Sequence, residues 1–118
     1  MADKRKTPRK PVKLMGTITV PAEDKKIERV CEIYDISDQG MRVVTDYFRT
    51  ISPGTLFRAK IILDDPQRSQ LEVPCLVLNM RQDKLSLMMN TEFVNLDESQ
   101  RQAIKKYYMM KVESEIQK

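Results

Sequence analysis

From Val12 to Val20 the chain alternates without a break. Val12, Leu14, Gly16, Ile18 and Val20 fall on one side, and Lys13, Met15, Thr17 and Thr19 on the other. A period of two over nine residues predicts a strand with one buried face. After a polar turn at 21–26, a second strand is predicted from about Ile27 to Ile36, carried by Val30, Cys31, Ile33 and Tyr34. Residues 37–40 turn the chain, and Met41 to Thr45 resumes the strand pattern. Ser52-Pro53-Gly54 signals a further turn, and Leu56 to Leu63 follows as a fourth strand closed by Asp64-Asp65-Pro66. Leu71, Val73, Cys75 and Val77 alternate with Glu72, Pro74, Leu76 and Leu78. Proline cannot donate to a ladder, so Pro74 predicts an edge or a bulge there. Arg81 to Lys84 is read as the turn into a last strand, in which Leu85, Leu87, Met89, Thr91 and Phe93 alternate with Ser86, Met88, Asn90 and Glu92.

The period then changes. Asp97-Glu98-Ser99-Gln100 has the form of a capping box, in which Asp97 caps the helix and Gln100 reaches back. A helix is predicted from Glu98 to Val112 or beyond, with Ala103, Ile104, Tyr107, Tyr108 and Met110 as its apolar stripe and a frayed tail over 113–118. Six strands followed by one helix argue an all-β fold with an appended helix: a six-stranded antiparallel sheet or barrel. The 118 residues fit one domain. Its expected parts are a basic arm over 1–11, a β-barrel over 12–96 and the C-terminal helix over 97–118.

Composition narrows the function classes. Hydrophobic residues are 41% and charged residues 32%, as in a globular protein. No apolar run approaches a membrane span, and the basic N-terminus lacks the apolar core of a secretory signal, so the expected location is cytoplasmic, without membrane insertion. The chain has no histidine, which excludes histidine-dependent triads and removes the commonest metal ligand. Cys31 and Cys75 lie in apolar strand patterns and are expected to be reduced core thiols. Neither a metal site nor a catalytic set is expected, and no cofactor.

Charge is unevenly placed. Of the 21 basic residues, Lys4, Arg5, Lys6, Arg9, Lys10 and Lys13 crowd into the first 13 positions against the single acid Asp3. The other 105 residues carry 15 basic and 16 acidic side chains. The surplus is confined to one arm, which attracts anions such as nucleotides, nucleic acid or acidic lipid.

Two short motifs supply candidate chemistry. Arg5-Lys6-Thr7-Pro8-Arg9 is an R-x-x-x-R, and Asp35-Ile36-Ser37-Asp38-Gln39-Gly40 is a D-x-S-x-x-G. Taken separately, the first fits a solubilising tail and the second a tight turn. Their functional content is complementary. Each guanidinium can donate paired hydrogen bonds to phosphate or to guanine O6 and N7. Asp35 can accept from guanine N1–H and N2–H, Ser37 can bond a base edge or a sugar-phosphate oxygen, and Gly40 lets a ring approach the backbone.

The pair of motifs, separated by residues 10–34, resembles the signature of the PilZ family, bacterial receptors for cyclic di-GMP. Pro11 to Val20 is similar to that family's first strand, Ser52 to Phe57 to its turn into a central strand, and Phe93-Val94-Asn95-Leu96-Asp97 with the following helix to its usual end. The chain departs from the family where a glycine often precedes the last-strand Phe; here Asn90 and Thr91 stand. The resemblance implies one PilZ domain over about 4–112, a split β-barrel followed by a helix, and a non-enzymatic receptor. It implies that Arg5 and Arg9 clamp guanine and phosphate from the arm while Asp35, Ser37 and Gly40 form the barrel side of the site. Lys4 and Arg42 are additional candidates beside them. Cyclic di-GMP would order the arm over the barrel and alter contact with a downstream protein, unidentified, in motility, exopolysaccharide production or virulence. The alternative is a small nucleic-acid-binding barrel. Against it stand the absence of tryptophan and an aromatic content of 6%, too thin for a stacking platform.

Overall fold

The computed structural model describes residues 10–21, 25–46 and 51–116. Six strands are followed by a helix: β1 (Lys10–Pro21), β2 (Lys26–Ile36), β3 (Gly40–Asp46), β4 (Leu56–Ile62), β5 (Gln70–Asp83), β6 (Ser86–Phe93) and α1 (Glu98–Ile116). The strands close into an antiparallel barrel in the order β1-β2-β3-β6-β5-β4. β3 and β4 are consecutive in sequence but not neighbours in the sheet; β6 and β5 lie between them, and β4 completes the ring against β1. Closure leaves no continuous unpaired edge for another chain to extend.

The alternation read in the sequence is the inside–outside alternation of the barrel. Leu14, Ile18 and Val20 of β1, Leu71, Val73, Cys75 and Val77 of β5, and Leu87, Met89 and Phe93 of β6 are all buried. Two inward hydroxyls are satisfied by backbone: Thr91 Oγ1 donates to the Met41 carbonyl at 2.9 Å, and Thr45 Oγ1 to that of Val30 at 2.9 Å. Both cysteines are buried free thiols. Burial, with the nearby Glu32 charge adding to it, pushes the Cys31 thiol up to about 12. Burial raises that of Cys75 as well.

One detail differs from the sequence reading. β5 runs to Asp83, which pairs with Ser86, so the hairpin turn is Lys84-Leu85 and Leu85 stands 81% exposed at its tip. An apolar residue at a two-residue turn has no inner face to take, whatever the alternation around it suggests. α1 runs from Glu98 to Ile116, in keeping with the expected helix to Val112 or beyond. Pro74 sits in β5 without a bulge of its own. Its carbonyl accepts from Val94 N at 3.1 Å, just past the end of β6. In a strand, the N–H and C=O of one residue point the same way. The donor that proline lacks therefore faces a place where the partner strand has ended, a local edge.

The turns follow their residues. Thr55 N donates to the Ser52 carbonyl at 3.0 Å and Gly54 has φ 92°, the conformation that glycine supplies at the third position of a type II turn after proline. The capping box forms: Gln100 N donates to Asp97 Oδ1 at 2.7 Å, and Asp97 N donates to Gln100 Oε1 at 3.0 Å. Ile104, Tyr107 and Tyr108, three and four residues apart, bury one stripe of α1 against the barrel.

Candidate functional site

Lys4, Arg5 and Arg9 lie outside the described residues. Asp35, Ser37, Gly40 and Arg42 are all described, and the fold brings them together where β2 turns into β3.

The turn is built by its own side chains. Ser37 N donates to the Gly40 carbonyl at 2.9 Å, and Gln39 N donates to Ser37 Oγ at 3.1 Å. Ser37 is fully buried, so its hydroxyl is committed to shaping the loop. The loop is also tied to β6, because Phe93 N donates to the Gln39 carbonyl at 2.9 Å. Gly40 is required by packing: a Cβ there would overlap the carbonyl oxygen of Thr91 on β6. Its value at the site is close strand approach, which keeps the turn tight against the barrel wall.

Asp35 reaches the outer face through a β-bulge. Cys31 and Ile33 point inward, and strict alternation would send Asp35 in after them. Tyr34 is inserted as an extra residue between the pairs Ile33↔Val43 and Asp35↔Arg42, and the phase reverses. Bulges re-aim side chains in this way and are common beside functional sites. The Asp35 side chain is 17% exposed, and its Oδ2 lies 3.4 Å from Arg42 Nε. Arg42 pairs in register with Asn90 of β6 and donates from Nε to Asn90 Oδ1 at 3.4 Å. Asn90 Nδ2 donates to Asn79 Oδ1 on β5 at 2.6 Å. Asn79 also owes its outward direction to a bulge, with Leu78 as the extra residue between Val77↔Thr91 and Asn79↔Asn90. One polar row thus crosses four strands, Asp35–Arg42–Asn90–Asn79, with a bulge at each end. Sequence reasoning did not single out Asn79 or Asn90 as functional. In plain alternation Asn79 shares the parity of Val77 and Cys75 and reads as inward.

The row abuts the start of β1. Lys10 pairs with Ile36 and Pro11 with Asp35. The residue that follows Arg9 is therefore laid against the second position of the D-x-S-x-x-G motif. On the far side of the same turn, Asp38, Gln39, Glu92, Phe93, Asn95, Leu96 and Arg101 line an open polar recess of about 480 Å³ that leads to the start of α1. A larger recess, about 610 Å³, lies elsewhere, between α1 and the loop after β4, and shares no residue with the motif. Charge and hydrogen-bonding capacity, not volume, mark the candidate site. Among the described residues no group of three or more cysteine or acidic side chains could hold a metal, and no helix is long and apolar enough to cross a membrane.

A search of curated proteins finds no match. Solved structures show the same fold. Inhibitor of motility (MotI/DgrA) from Bacillus subtilis superposes with TM-score 0.73 at 21% identity, over 96% of this chain and 53% of that one. The PilZ domain of YcgR from Escherichia coli with c-di-GMP gives 0.73 at 11% identity, covering 95% and 94%. The MrkH–c-di-GMP complex of K. pneumonia gives 0.78 at 16% identity, covering 99% and 56%. This chain spans about half the length of MotI and MrkH and nearly all of the isolated YcgR domain. The family profile described as PilZ domain matches residues 3–109, and with nearly the whole chain covered, this protein belongs to the PilZ domain family.

Proposed function

We propose that this protein is a non-enzymatic receptor for cyclic di-GMP, the ligand held by the similar YcgR and MrkH structures. The observation that carries the reading is the pairing of Lys10 with Ile36 and Pro11 with Asp35. It sets Lys10, which directly follows the R-x-x-x-R motif, beside the start of the D-x-S-x-x-G motif, although residues 11–34 lie between them in sequence, and this supports a site made by both motifs. The ligand has two phosphates and two guanines. Arg5 and Arg9 close on phosphate and on a guanine O6/N7 edge, with Lys4 adding charge. Asp35 accepts from guanine N1–H and N2–H. Ser37 and Gly40 contribute by holding the turn that carries Asp35 against β6. Nothing in this scheme breaks a bond in the ligand; the output is the surface made when the arm closes. A downstream protein, in motility, exopolysaccharide production or virulence, reads that surface.

Charge-assisted hydrogen bonds contribute on the order of 1.5–3 kcal/mol each, so losing one arginine or the aspartate costs about ten- to a hundredfold in affinity. Calorimetric titration with cyclic di-GMP is expected to give a saturable isotherm for the parent protein. Arg9→Ala and Asp35→Ala are each expected to weaken it at least tenfold, and the ligand is expected to be recovered intact. Parent-like affinity in Arg9→Ala, or hydrolysed ligand, would overturn the reading.

A further inference from the structure

Arg42 is held in an unusual way for a cross-strand ion pair. Both of its contacts run through Nε: 3.4 Å to Asp35 Oδ2 on one side and 3.4 Å to Asn90 Oδ1 on the other. A guanidinium that served only to neutralise a carboxylate would turn its two-nitrogen fork onto it. Here, among the described residues, neither Nη1 nor Nη2 has a hydrogen-bond partner, and the side chain is 38% exposed. Four of the five N–H donors of Arg42 are thus left on an immobilised fork at the candidate site.

The immobilising group is itself built. Asn90 holds Arg42 and is tied to Asn79 at 2.6 Å, and Asn79 stands on the outer face only because the β5 bulge turns it there. The other anchor, Asp35, depends on the β2 bulge in the same way. Two separate departures from regular pairing converge on the position of one arginine. Asn79 and Asn90 have no charge to bring to an anionic ligand. What they supply is orientation.

We propose that Arg42 is a third ligand-gripping arginine, contributed by the barrel wall, and that Asn90 and Asn79 are positioning residues that fix its fork toward the ligand. The arm's two arginines arrive from a separate segment, whereas Arg42 stands in place before the ligand does. Its fork is suited to a phosphate or to the O6/N7 edge of guanine, beside the Asp35 carboxylate. The proposal rests on the receptor reading above.

Calorimetric titration of cyclic di-GMP into the parent protein, Arg42→Ala, Arg42→Lys, Asn90→Ala and the double variant Arg42→Ala/Asn90→Ala tests it. Arg42→Ala is expected to weaken binding about tenfold or more. Arg42→Lys keeps the charge but loses both Nε–H and fork, and is expected to recover less than a third of that loss. Asn90→Ala is expected to weaken binding about threefold in the parent and to have no further effect once Arg42 is gone, since a positioning residue acts only through the group it positions. Thermal midpoints of the ligand-free variants within a few degrees of the parent rule out unfolding as the cause. Parent-like binding by Arg42→Ala, full rescue by lysine, or an equal Asn90→Ala loss in both backgrounds would each overturn the proposal and leave the receptor reading standing. A parent protein that fails to bind cyclic di-GMP would overturn both.

Discussion

Single residues at the β2–β3 turn carry more constraint than their motif letters suggest. Glycine at position 40 reads in the sequence as room for a ligand ring. In the fold it is room for β6, because the space a methyl group would take is filled by the Thr91 carbonyl. Gly40→Ala must push two paired strands apart, and it is expected to cost about 1–3 kcal/mol of stability. Urea unfolding of the ligand-free protein measures this. A neutral result would mean that the strands separate there without penalty. Ser37 follows the same logic: a hydroxyl legible as a ligand contact is buried and accepts from Gln39 N at 3.1 Å. The residue types were visible in the chain, but the neighbour each one serves was not, because Thr91 is 51 positions away from Gly40 and reaches it only through the β3–β6 pairing.

At the scale of elements, α1 is fastened to the barrel by a polar latch as well as by its apolar stripe. Tyr107 Oη donates to Asp64 Oδ1 at 2.6 Å, Lys111 Nζ lies 2.7 Å from Asp64 Oδ2, and the Lys111 ammonium stands 5.5 Å from the centre of the Tyr107 ring. Burial alone would raise the Asp64 carboxyl, but the hydrogen bonds from Lys111 and Tyr107 together outweigh it and hold the carboxyl below its ordinary 3.8. The unfolded chain therefore takes up this proton more readily than the folded one. The latch's stabilisation is present above about pH 4 and is lost as the pH falls through the folded value. Tyr107 moves the other way: burial, then the hydrogen bond and charge of Asp64, raise its phenol above the ordinary 10. That contribution is complete below pH 10 and fades as the pH rises past it. Tyr107→Phe removes one charge-assisted bond from a partly exposed acid. It is expected to cost about 1 kcal/mol at pH 7 and to flatten the fall of stability both below pH 4 and above pH 10. Thermal melts across that range check both slopes. The helix and its capping box were evident from the change of period at Asp97. The latch was not, since nothing in the spacing of Asp64 and Tyr107 predicts that the end of β4 lies under the second half of α1.

Over the whole molecule, the receptor reading predicts that cyclic di-GMP stabilises the fold by mass action. At a hundredfold excess over Kd the gain is about 2.7 kcal/mol, which for a domain of this size corresponds to a rise in Tm on the order of 10 °C. A thermal shift that grows with ligand concentration is the expected result, and no shift at saturating ligand would contradict it. The chain by itself determined the six strands, the terminal helix and the two motifs, because period-two and period-3.6 patterning, turn chemistry and capping are local properties that each stretch declares for itself. Only the tertiary structure decided which side chains share the site. Simple parity sends Asp35 and Asn79 into the core, and one inserted residue in each strand, seen only when a partner strand sets the register, turns both outward. Strand closure then aligns Asp35, Arg42, Asn90 and Asn79 from four strands into one row. Local pattern specifies which face of a strand is apolar, whereas register between distant strands depends on what each one pairs with, and a single slip reverses every side chain beyond it.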